Sequence, residues 1–150
     1  MTTKGQLLLC TVAAALALIG SQPQHAAAQS SQFFPLTPCR IIDTRVAGLG
    51  APILSGNTTR SFVVKGTCGI PPDAKGISYN LTAVTPSQAG FMTMFPAGIP
   101  KPYVAAVVFT AGAIIGNGGV VGLAAGSPDL SIFLDVGQAH AVVDVTGYFK

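Results

Sequence analysis

The sequence predicts an all-β domain, an antiparallel β-sandwich with barrel-like closure as the alternative, preceded by a cleavable signal peptide. Three observations carry that expectation. From Gly76 to Thr85 the side chains alternate: Ile77, Tyr79, Leu81 and Ala83 share one face, Ser78, Asn80 and Thr82 the other. A period of two is the mark of a strand with one covered face. Beyond the leader, Gly or Pro interrupts nearly every window long enough for a helix, and Glu, a strong helix former, is absent.

Residues 1–28 read as the signal peptide. Lys4 supplies a positive start, Leu7 to Gly20 is an uncharged apolar run, and Ala26-Ala27-Ala28 fits a small-x-small cleavage site that leaves Gln29 first. A membrane anchor is the rival reading, but the run falls short of the roughly 20 residues that span a bilayer. Cys10 follows Leu9 near the start of the run, the wrong place for lipid attachment. The expected compartment is therefore extracellular or the cell surface, with the periplasm as the alternative and no stable membrane span after cleavage. Residues 29–32 form a short leader and 33–150 one domain, long enough to bury a core.

Along that domain, Phe33-Phe34-Pro35-Leu36 and Arg40-Ile41-Ile42-Asp43 read as short extended segments parted by Thr37-Pro38. Val46 to Asn57 is a long loop, Arg60 to Lys65 a β-branched strand, and Cys68 to Pro72 a rigid turn. Pro86 to Gly90 is expected to turn the Gly76–Thr85 strand into a hairpin with Phe91 to Phe95. Pro96 to Pro102 breaks the pattern. Val104 to Thr110 is an apolar strand, Ala111 to Gly119 a Gly-rich connection, and Val120 to Ala125, Ser131 to Val136 and Ala139 to Phe149 the last strands.

The formal net charge is +3, and +2 once Lys4 leaves with the signal peptide. So small and scattered an excess gives no footprint for nucleic acid. Cys39 and Cys68 are the cysteines that remain, and an even pair in an exported chain reads as a disulfide. Closing that loop is worth about 3–4 kcal/mol on the chain-entropy account.

Few residues offer chemistry. Asp43-Thr44-Arg45 is read as a structural ion pair in which Arg45 reaches an aspartate, with Asp144 in the last strand as the expected mate. The rival reading makes this cluster, with Arg40, a contact for an anionic or sugar ligand. His140 and Asp144 share a strand face but lie about 13 Å apart along it, too far for a base and its orienting carboxylate. No GxSxG elbow is present, so no catalytic residue is expected. Two cysteines and one histidine do not supply a zinc set, and the aspartates are isolated, so no metal or cofactor is expected. Tyr103, between prolines and an apolar run, is the candidate for stacking on a sugar ring. Trp, the usual platform for that contact, is absent. Asn57-Thr58-Thr59 and Asn80-Leu81-Thr82 match the N-glycosylation pattern, and both are read as coincidences of a Thr-rich β protein.

Three stretches read together: PLTPCRIIDTR from Pro35 to Arg45, GIP at 69–71 followed by NLTAVTPSQAGFMTMFP from Asn80 to Pro96, and VVDVTGYF from Val142 to Phe149. They resemble the CRxxDTR, GIP, NLTxxxPxxxGFxTxxP, VVDVxGYF module of secreted bacterial proteins, over almost all of 33–150. The resemblance implies a cell-surface or binding accessory and brings no catalytic residues to carry over. The expected function is a non-catalytic secreted module, structural or adhesive. The alternatives are a module that binds cell-wall polysaccharide, self-assembly through sheet edges, or a small hydrolase whose site converges only in the fold. Partners are expected among surface polysaccharides or other secreted proteins.

Overall fold

The computed structural model describes residues 31–150. The expected signal peptide and its cleavage site lie outside the described residues. Among those described there is no helix, and nine strands form two antiparallel sheets. The strands are β1 (Phe33–Asp43), β2 (Leu54–Ser55), β3 (Thr58–Phe62), β4 (Gly76–Val84), β5 (Gly90–Pro96), β6 (Val107–Phe109), β7 (Ile114–Gly122), β8 (Leu130–Leu134) and β9 (Gln138–Phe149). One sheet runs β1-β9-β4-β7, with β2 adding to β9, and the other β3-β8-β5-β6.

The alternation expected in β4 is what builds the core. Ile77, Leu81 and Ala83 point inward with Ala139, Ala141, Val143 and Val145 of β9, and all are buried. Facing them are Leu130, Ile132 and Leu134 of β8 with Met92 and Met94 of β5. The Ile, Leu, Val and Met side chains among them, fully removed from water, each stabilise by about 1.5–3 kcal/mol.

Three expectations about the elements are corrected. Phe33–Leu36 and Arg40–Asp43 are not two segments but one strand, β1, whose pairing with β9 slips between Pro35 and Cys39 and again between Arg40 and Ile42. The prolines, which lack the N–H a ladder needs, are absorbed at those irregularities on the outer edge. The hairpin between β4 and β5 does not form. Both edges of β4 are taken, by β9 and β7, so the chain crosses to the other sheet and sets Met92 opposite the β4 core face. The crossing is held where Ser87 N–H donates to the Gln138 carbonyl and Gln138 N–H to Ser87 Oγ, each at 2.8 Å.

The Gly-rich stretch from Ala111 is the third correction. It holds a strand, β7, that pairs with β4 residue for residue from Ile114 to Gly122. Its glycines make room: a Cβ at Gly119 would lie 2.8 Å from the Tyr79 hydroxyl, and one at Gly116 would press on Asn80 and Thr82 at 3.0–3.2 Å. The segment expected as a loop from Val46 is largely one, with β2 at its end.

Candidate functional site

The motif residues converge where the first strand meets the last. Cys39 and Cys68 form the expected disulfide, with Cα atoms 5.9 Å apart. Beside it four charges alternate in a line. Arg45 grips Asp43 through two side-chain contacts, at 2.8 and 2.6 Å, and adds its own backbone N–H at 3.0 Å. Arg40 donates to the same Asp43 carboxylate at 3.3 Å and forks onto Asp144 at 2.9 and 3.2 Å. Planar guanidinium and carboxylate groups match in this bidentate way, which makes such pairs directional as well as strong.

The expected mate of Asp144 is thus corrected. Arg40 holds it, because Arg40 stands directly opposite Asp144 in the β1–β9 register, whereas Arg45 lies past the strand end and folds back onto Asp43. Asp43 is 2% exposed, and the Arg45 guanidinium, aided by Arg40, lowers its carboxyl to about 2.

No protein family, curated protein or solved structure matched this chain in the comparisons made.

The remaining motif residues also serve the joint. Thr44, buried just past the end of β1 between Asp43 and Arg45, accepts the Ala141 N–H at 2.9 Å and lies 3.0 Å from His140 Nδ1. His140 and Asp144 therefore have separate partners, and the structure does not bring them together as a base and its orienter. Asp135, which a hydrolase site converging with His140 and Asp144 would need, lies beyond the end of β8, a strand of the other sheet. Gly147 admits the first strand: a Cβ there would sit 2.4 Å from the Phe33 ring. Tyr148 stacks on Phe34 with centroids 5.0 Å apart, and Phe149 meets Phe33 at 5.1 Å. A cleft of about 460 Å³ opens next to the disulfide, with Arg40, Ile42, Leu49, Phe62 and Cys68 in its wall. Its one cation there, Arg40, is already committed to two carboxylates.

Tyr103 lies on the far side of the sandwich. The loop from Ala97 to Ala106 folds over the outer face of β5 and β8, where Thr93 Oγ1 donates to the Val104 carbonyl at 2.7 Å. The Lys101 ammonium is wedged between two rings, 4.6 Å from the centroid of Phe133 and 5.0 Å from that of Tyr103. Tyr103 as a residue is 99% exposed. Phe91, Lys101, Tyr103, Val104 and Ala105 line a shallow apolar depression of about 280 Å³. The two sets of candidate residues thus occupy opposite faces and do not form one site.

Sequence reasoning missed Asp129. Its buried carboxylate accepts the backbone N–H groups of Val64 at 3.1 Å and Lys65 at 3.2 Å, stitching the end of β3 to the start of β8. The signal that could have found it was a single acid after Ser127-Pro128 and directly before an uncharged apolar strand. Among the described residues no three His, Cys, Asp or Glu side chains gather as a metal set, and no helix is long and apolar enough to cross a membrane.

Proposed function

We propose that this chain is a secreted, non-catalytic module that adheres to surface polysaccharide through the Ala97–Ala106 loop. The observation that carries the reading is Tyr103, a residue left 99% exposed while Lys101 over Phe133 and the Thr93 bond to the Val104 carbonyl hold the loop against the sheet. A ring with an open face suits the apolar face of a sugar, and the adjoining depression gives a second ring somewhere to rest. The disulfide is consistent with an oxidising compartment outside the cytoplasm. The ionic cluster supports the non-catalytic reading, since Arg40, Asp43, Arg45 and Asp144 spend their hydrogen bonds on one another.

Sedimentation with peptidoglycan and with insoluble polysaccharides tests this. Retention on at least one of them, weakened tenfold or more by Tyr103→Ala, is the expected result. No retention on any, or retention indifferent to Tyr103→Ala, overturns it.

A further inference from the structure

A sandwich has four outer strands, and each exposes a row of backbone groups that another strand can join. Three of the four are protected here. β1 carries Pro35 and Pro38, two register slips and Arg40. β3 is five residues long and carries Arg60. β6 has only three residues, and the neighbouring Ala106 is tied by Asn117 Nδ2 to its carbonyl at 2.7 Å and by its own N–H to Met92 at 2.7 Å.

β7 has none of these devices. It runs for nine residues, IIGNGGVVG, with no charge, no proline and no slip against β4. The direction of its backbone follows from the two ends of the ladder. Thr85 N–H donates to the Ala113 carbonyl at 2.9 Å, and Leu123 N–H to the Lys75 carbonyl at 2.8 Å. Odd-numbered residues therefore face β4, and Ile114, Gly116, Gly118 and Val120 turn their N–H and C=O groups to the open edge. The same four carry their side-chain positions on the outer face of the sheet, with Ile114 72% and Val120 64% exposed.

That set is nearly symmetric, a β-branched residue at each end with glycines between. About Asn117, Ile114 mirrors Val120 and Gly116 mirrors Gly118. Adjacent antiparallel strands related by a twofold axis must set same-face residues opposite each other, so a register centred on Asn117 satisfies the geometry. On the inner face it sets Ile115 against Gly119, where the Tyr79 ring already fills the place of a side chain.

We propose that β7 pairs antiparallel with β7 of a second copy of this chain, centred on Asn117, so that two five-stranded sheets join into one. The exchanged pairs are Ile114 with Val120 and Gly116 with Gly118, giving about eight backbone hydrogen bonds across the axis. β-Branched side chains directly opposed on one face are a favourable cross-strand pair. The contact lies on a different edge from Tyr103 and does not depend on the sugar-binding reading.

Protein expressed from the full sequence, measured by analytical ultracentrifugation over a wide concentration range, tests the pairing. The expected mass is that of a dimer, dissociating on dilution. Val120→Lys and Ile114→Asp are each expected to raise the dissociation constant at least tenfold with an unchanged far-UV circular dichroism spectrum. Mixing the two variants is expected to restore a dimer, because the register sets each new charge opposite the other. Tyr103→Ala leaves the mass unchanged. A monomer at millimolar concentration overturns the proposal. So does a dimer indifferent to both charges, and so does failure of the mixture to associate more strongly than either variant alone.

Discussion

The β1–β9 joint and the β7 edge belong to the same sheet and are built on opposite principles. At the joint every side chain with a charge or a special shape has a partner: Arg40 with Asp144, Asp43 with Arg45, Cys39 with Cys68, Gly147 under Phe33. At β7 the side chains are small or apolar, most are exposed, and the outward backbone groups face open space. The residues that make this sequence distinctive are thus spent on closing the domain. The surfaces left to meet other molecules are composed of ordinary residues.

Several substitutions break or sharpen that contrast. Replacing both cysteines, Cys39→Ser with Cys68→Ser, removes the covalent half of the joint. It is expected to cost about 3–4 kcal/mol in urea unfolding, from a loop of separation 29. Asp129→Ala strips the acceptor from the Val64 and Lys65 N–H groups at a buried site. A loss of about 1–3 kcal/mol per unsatisfied group is expected from the same unfolding curves. Gly147→Ala forces Phe33 off the last strand. A loss of about 1–3 kcal/mol is expected, with the near-UV aromatic signal altered. At the other end of the scale, Tyr103→Ala removes an exposed ring and should leave the midpoint within about 0.5 kcal/mol of the parent. A large effect there would mean that the loop is a structural strap.

How far the sequence could be read follows the same division. Alternation in Gly76–Val84 made the strand and its buried face legible, because a period of two reports which side chains turn inward. It does not report which sheet the next strand joins, so the crossing from β4 to β5 was read as a hairpin. β7 was hidden for a different reason. Gly116, Gly118 and Gly119 look like a turn until Asn80 and Thr82 are seen filling the space above Gly116, and Tyr79 that above Gly119. The Cys39–Cys68 bond was legible from counting alone. The pairing of Arg40 with Asp144 was not, since the two are 104 residues apart and only the β1–β9 register sets them opposite each other. Tyr103 stands out by the prolines that precede it, yet the clamp that holds its loop, Lys101 between Phe133 and Tyr103, joins the loop to a distant strand and leaves no local mark.

The measurement that bears most directly on a structural role for the motif is the pH dependence of stability in the parent and in Asp43→Asn. Asp43 titrates at about 2 in the folded chain, against 3.8 for an unperturbed aspartate. A carboxylate depressed on folding contributes fully above its unfolded value, and the contribution fades as pH falls through the folded one; here it is worth about 2 kcal/mol. The parent should therefore exceed Asp43→Asn by at least that amount from pH 5 to 7, with the gap closing towards pH 2. Equal stabilities across the whole range would contradict a structural ion pair and return Asp43, Arg45 and Arg40 to the pool of residues free to bind a ligand.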